Sequence, residues 1–152
     1  LSRHDGPCGM VWQETPPYTL LQNGLIPFAV MQEHKRFARY WDLVYNSGSF
    51  RGTLPFLFPA GEVYRPFLAF SRWLHAKSNA THGISLERLA RVLLACLPEE
   101  CGADGQAVAV ALGGDVSRIT GKTPPSFLRE ISGPDRPERR PRMNRRQQRH
   151  ED

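Results

Sequence analysis

The sequence predicts a mainly α protein: a small helical domain of about four helices, with an irregular N-terminal lead-in before it and a disordered basic C-terminal tail after it. Three observations carry this expectation. Apolar residues between positions 26 and 120 recur at spacings of three, four and seven, the period that places them on one face of a helix. Turn-forming clusters at Asn46-Ser47-Gly48, at Asn79-Ala80-Thr81-His82-Gly83 and at Pro98 separate these stretches. From Gly133 onward the period stops, leaving a run dominated by Arg, Pro, Gln and acids that has too little apolar surface to fold on.

A chain of 152 residues has room for one domain. Its hydrophobic content of 40% is lowered by the polar tail, so the residues before it can bury a real core. The net charge of +5 is uneven: residues 133–152 hold seven Arg against four acids, which leaves the body close to neutral. Three cysteines, Cys8, Cys96 and Cys101, are an odd count that argues against a disulfide scaffold and fits a reducing cytoplasm. No apolar run approaches the ~20 residues that cross a bilayer, and no signal peptide with a basic start and apolar core is visible. A start at Leu1 rather than Met fits a fragment of a longer protein.

Residues 1–17 contain His4, Gly6, Pro7, Gly9 and Pro16-Pro17, show no helical period, and read as an extended lead-in with one short strand at Gly9–Gln13. Pro16-Pro17-Tyr18 is expected to open a short helical turn through Gln22, because proline is tolerated in a first turn, and Asn23-Gly24 to stop it. The first long helix starts at Pro27. Ile26, Val30, Phe37, Trp41 and Val44 form its apolar face, with His34 on the same side, and Gly48 suits the left-handed conformation that ends it. Phe50–Phe58 is apolar but too broken by proline to be a long element, and Pro59-Ala60-Gly61 is a loop. The second helix, Val63–Lys77, carries Tyr64, Phe67, Phe70, Trp73 and Leu74 and should be substantially buried.

The third helix, residues 84–97, has the cleanest stripe, made of Leu86, Leu89, Ala90, Leu93, Leu94 and Leu97, and Pro98 terminates it. A fourth, over residues 104–120, turns Val108, Ala111, Leu112, Val116 and Ile119 inward. Gly113-Gly114 in its middle weaken it by about 1 kcal/mol each relative to alanine, which invites a break or kink. Phe127-Leu128 is the last apolar anchor. The organisation is thus a lead-in at 1–17, a helical domain at 18–132 and an Arg-rich tail at 133–152.

Few constellations carry chemistry. A structural zinc site wants four ligands in paired knuckles, and His4 with Cys8, Cys96 with Cys101, and His75 with His82 are isolated halves. Cys96 lies inside the leucine stripe and reads as a small buried hydrophobe. A Cys–His nucleophile has no supporting loop, and neither a Gly-x-Ser-x-Gly elbow nor a phosphate-binding glycine loop is present. Two pieces remain. Arg36 and Arg39 lie three apart beside Tyr40 on the polar flank of the first helix, where they can clamp a phosphate or carboxylate, although a solvated face is the commoner outcome. His82, between Thr81 and Gly83, can present its ring to solvent or ligand, although a local cap of the third helix is the plainer reading.

The residues read so far resemble a known bacterial region. Arg3-His4, Gly9-Met10-Val11 and Pro16-Pro17-Tyr18 begin the match; Met31-Gln32 and Arg36-Phe37-Ala38-Arg39-Tyr40-Trp41-Asp42-Leu43-Val44, then Asn46-Ser47-Gly48 and Phe50, continue it. Phe70-Ser71-Arg72-Trp73-Leu74 and Thr81-His82-Gly83-Ile84 with Leu86 and Arg88-Leu89 complete it. Together they resemble the C-terminal domain, itself of unknown function, of cobalamin-binding radical S-adenosylmethionine (radical SAM) proteins. In that family a cobalamin-binding domain precedes a barrel that holds a [4Fe-4S] cluster through Cys-x3-Cys-x2-Cys and cleaves S-adenosylmethionine to start radical chemistry. This chain lacks that motif, so no cluster ligand carries over.

The resemblance implies that residues 1–17 are the end of the barrel and that the helical part packs beside it as an accessory domain, inactive alone. The barrel and the cobalamin-binding domain would be supplied in the same longer chain or in trans. The candidate surface or substrate contacts are Arg36, Arg39, Tyr40, Asn46 and His82, none of them catalytic. The alternative expectation is a free-standing helical adaptor that binds nucleic acid or an acidic partner through Arg136–Arg149.

Overall fold

A computed structural model describes residues 5–58 and 61–133. It is mainly helical, with 64% of the described residues in seven helices, five of them seven residues or longer. In chain order these are α1 (Asp5–Cys8), α2 (Phe28–Trp41, prolonged by a π turn at Asp42–Asn46), α3 (Leu54–Leu57), α4 (Tyr64–Ser78), α5 (Leu86–Cys101), α6 (Gly105–Thr120) and α7 (Ser126–Ser132). The four long ones, α2, α4, α5 and α6, are the four that the periodicity marks. The basic tail from residue 134 lies outside the described residues.

A two-stranded antiparallel sheet precedes α2, made of β1 (Val11–Trp12) and β2 (Leu20–Gln22). The expected helical turn at 16–22 is therefore a strand. Pro16-Pro17 has a cis peptide bond and Tyr18 a left-handed backbone (φ 52°), and together they reverse the chain. A register irregularity lies between Val11 and Trp12. Asn23 then redirects the chain into α2, its side-chain oxygen accepting from the N–H groups of Leu25 (2.9 Å) and Ile26 (2.7 Å).

The helices pack in sequence: α2 on α4, α4 on α5, α5 on α6, and α6 on α7, with the hairpin beside α2 and α3 against α5. The core between them contains Tyr40, Val44, Phe50, Leu57, Phe67, Phe70, Leu74, Leu93, Leu97 and Leu112, all 1% exposed or less. Phe37, Trp41 and Phe67 form an aromatic string between α2 and α4: Trp41 meets Phe67 edge-on at 4.8 Å and Phe37 meets it at 5.0 Å. The expected face of α2 holds only in its C-terminal half, since Val30 is exposed where the helix runs beside the hairpin. Tyr64, expected to be buried, is exposed and meets His34 Nε2 at 3.3 Å.

Three local expectations change. Pro98 does not stop α5, which runs on to Cys101. One turn from the helix end the missing N–H forfeits only the bond to Leu94, and Gly102 (φ 65°) then closes the helix by donating to the Leu97 carbonyl. Gly113-Gly114 do not break α6. Gly113 is buried against the Pro124 ring, which an added Cβ would meet at 3.5 Å in ordinary contact, and a Cβ at Gly114 would meet nothing, so both are held as ordinary helical residues. Ile119 points outward, and Asp115 takes the inward position instead.

Candidate functional site

Two loops hold the residues that the sequence singles out. The first follows α2. The π turn lets the Ser47 N–H reach the Asp42 carbonyl (3.0 Å), and Gly48 reverses the chain at φ 65°. Asn46 donates to Asp42 Oδ1 at 2.6 Å and is exposed. The segment is fastened from α6. Asp115, 4% exposed, accepts from Gly52 N–H (3.0 Å), Thr53 N–H (3.0 Å) and Thr53 Oγ1 (2.9 Å). Arg118 pairs with Asp115 (3.2 Å) and donates to the carbonyls of Gly48 (3.1 Å) and Ser49 (2.9 Å). Apart from exposed Arg51, the charged groups that fasten this segment are paired with one another and with its backbone, so the Asn46–Phe50 stretch is a structural turn. Sequence reasoning missed Asp115 and Arg118. The available signal was an Asp between Leu112 and Val116, on the apolar side of its helix.

The second loop joins α4 to α5. Asn79 ends α4 in the left-handed conformation (φ 46°), its N–H on the His75 carbonyl at 2.8 Å, and Gly83 turns the chain again at φ 66°. The N-cap of α5 is Ser85, whose hydroxyl accepts from Arg88 N–H (3.2 Å), and not the expected Thr81 or His82. Three side chains hold the carbonyls of this loop. Tyr40 donates to Ala80 (2.8 Å), Arg39 Nε to Thr81 (3.2 Å) and Arg88 Nη2 to Ser78 (3.3 Å). The structure thus corrects the placing of Tyr40 as a surface contact. It is fully buried, its ring in the core and its hydroxyl also 3.3 Å from His75 Nδ1. Burial pushes the Tyr40 phenol above its usual range, while the Ser78 hydroxyl and the Arg36 charge pull the other way.

Arg39 and Tyr40 therefore meet residues 78–82, where His82 lies, and Arg88 joins them; Arg36 lies one turn before Tyr40 on α2, near enough to act on its phenol, and Asn46 lies apart on the other loop. His82 is exposed, with Nδ1 2.9 Å from Thr81 Oγ1. Arg36 makes no hydrogen bond among the described residues but is close enough to Glu33 to help hold that carboxyl below its usual range, after the larger effect of Arg72. Glu33 itself is taken by Arg72 in a two-point pair between α2 and α4.

The cysteines do not gather. Cys8 is exposed, Cys96 is buried in α5, and Cys101 is half-buried one turn further on. Burial, with the neighbouring Cys101, Glu100 and Glu99, pushes the Cys96 thiol up to about 12, and burial raises Cys101 as well. A hollow of about 210 Å³ beside them is lined by Pro66, Ala69, Phe70, Cys96, Glu100 and Cys101. Among the described residues no three His, Cys, Asp or Glu side chains are grouped to hold a metal ion. Neither is any helix among them long and apolar enough to cross a membrane.

The fold and these loops define a small all-α domain with a polar loop cluster at one helix junction. The chain belongs to the DUF4080 family of proteins of unknown function, whose model matches residues 7–151. No curated protein and no solved structure matches it.

Proposed function

We propose that this chain is the C-terminal accessory domain of a cobalamin-binding radical SAM protein, catalytically silent alone and working against a barrel and a cobalamin-binding domain. The observation that carries the reading is where the domain leaves apolar surface in water. Val11, Tyr18, Leu25, Phe28 and Val30 are all exposed, Leu25 at 92%, and lie along the hairpin, its connection to α2 and the first turn of α2, while the other six exposed large hydrophobics among the described residues are spread along the rest of the chain. A run of exposed apolar residues in one stretch supports a contact surface there. The hairpin is also too small to be stable without support, since two strands alone are marginal in water. Both facts fit an N-terminal unit seated against a preceding barrel.

The donor set fits this division of labour. On this reading the [4Fe-4S] centre, S-adenosylmethionine and cobalamin would be held by the other domains; that no three His, Cys, Asp or Glu side chains are grouped among the described residues supports it. The test is co-purification with a radical SAM polypeptide encoded immediately upstream, recognised by its Cys-x3-Cys-x2-Cys motif. The account expects stable association that Leu25→Asp with Phe28→Asp abolishes while helical content is kept. Absence of association, or formation of a [4Fe-4S] chromophore by the isolated chain with iron and sulfide, overturns it. The adaptor reading rests on Arg136–Arg149, outside the described residues, and salt-dependent nucleic-acid binding by the full chain would favour it instead.

A further inference from the structure

We propose that Arg36, Arg39, Arg88 and His82 form a binding site for a phosphate group at the α4–α5 loop. The inference stands on these side chains and does not depend on the accessory-domain reading.

The argument is one of charge balance and preorganisation. Among the described residues three arginines are paired with a carboxylate, Arg72 with Glu33, Arg91 with Glu87 and Arg118 with Asp115, and three exposed ones, Arg51, Arg65 and Arg129, are not. Among the described residues no carboxylate oxygen comes within 4 Å of Arg36, Arg39 or Arg88. On their own helices Glu33 and Glu87 are already committed to Arg72 and Arg91, and Asp42, three positions from Arg39, accepts from Asn46. Arg39 and Arg88 are held instead by neutral carbonyls of one loop, Thr81 and Ser78.

A carbonyl bond fixes a guanidinium without cancelling its charge. Arg39 is held through Nε, which leaves both terminal nitrogens, the edge that grips an oxyanion in two-point fashion. His82 adds a third kind of donor. Its Nδ1 is engaged with Thr81 Oγ1, which fixes the ring and leaves Nε2. Tyr40 underlies the arrangement, anchoring Ala80 from the core so that the loop keeps its shape without ligand. Three arginines with no carboxylate oxygen of the described residues within 4 Å, two of them fixed, and an oriented imidazole suit a phosphate better than a single carboxylate, which one arginine satisfies.

The test is an amide NMR titration of the full chain with inorganic phosphate at constant ionic strength, repeated with adenosine monophosphate and with chloride as control. Saturable shifts are expected at residues 36–40 and 78–88. Arg36→Gln is the informative variant, because Arg36 makes no hydrogen bond that folding would miss. It should weaken binding by about tenfold, the loss expected for one charge-assisted contact. Arg65→Gln, exposed in the first turn of α4 at the opposite end of that helix, should change nothing. Tighter binding of the nucleotide with the same shifts assigns the site to an organic phosphate, and equal or weaker binding assigns it to the free anion. Failure to saturate, shifts confined to residues 134–152, or unchanged binding in Arg36→Gln overturns the proposal.

Discussion

The turn at residues 46–53 and the loop at residues 79–85 are built from the same parts. Each follows a helix, reverses at a left-handed residue and is fastened by side chains from another helix. They differ in how charge is settled. At the first, Asp115 and Arg118 neutralise each other and between them satisfy two N–H groups, one hydroxyl and two carbonyls. At the second, two arginines and a tyrosine donate to loop carbonyls, and among the described residues no carboxylate pairs with the arginines. The lesson is that the same local fastening gives a closed structural joint when both charges are supplied from within. When only cations are supplied, it leaves capacity for a ligand.

The comparison is broken most severely at the closed joint. Asp115→Ala should destabilise the protein by about 3 kcal/mol, because two backbone N–H groups and a hydroxyl lose their acceptor in a buried place and Arg118 loses its partner. Asp115→Asn, which keeps one oxygen, should lose less. Urea denaturation measures both, and equal losses would show that a neutral acceptor oxygen recovers nothing and that the joint depends on the intact carboxylate. At the open loop Tyr40→Phe keeps the ring in the core and removes only the hydroxyl, so about 1 kcal/mol is expected, with the ring contacts of α2 and α4 unchanged. A loss as large as that of Asp115→Ala would mean the loop is a structural joint of equal rank. Gly48→Ala, forcing a side chain into φ 65°, should lose about 1–2 kcal/mol by the same method.

A smaller effect tests the core shared by both loops. Because the Cys96 thiol is pushed up to about 12 in the folded state, the unfolded chain gives up that proton first as pH rises past its ordinary value of 9.0. Stability is therefore fully present below pH 9 and falls between about 9 and 12. Cys96→Ala should flatten that decline. At neutral pH a thiol reagent should label exposed Cys8 first and Cys96 only on unfolding.

Much of this fold was legible in the residues. The four long helices follow from apolar period alone, and Gly48 marks the end of the first because only glycine accepts that backbone cheaply. The first strand was legible within Gly9–Gln13, but the second strand and the pairing were not, because three residues carry no alternation to read and the reversal depends on backbone states at Pro16–Tyr18. Pro98 misled because its penalty depends on distance from the helix end. At the site, Arg36, Arg39 and His82 were visible as residue types, but their meeting was not. Arg39 and Thr81 are forty-two positions apart and joined only by the packing of α2 on α4. Tyr40 appeared polar from its flank and is buried because α4 and its loop close over it.

The difference between the loops is tested most directly by the thermal midpoint with and without phosphate, at constant ionic strength, in the parent chain, Arg118→Gln and Arg36→Gln. Phosphate should raise the midpoint of the parent. Arg118→Gln should start lower, having lost its bonds to Gly48, Ser49 and Asp115, and gain as much from phosphate as the parent does. Arg36→Gln should start where the parent starts and gain little. The same gain in all three proteins, or none in any, would contradict the account.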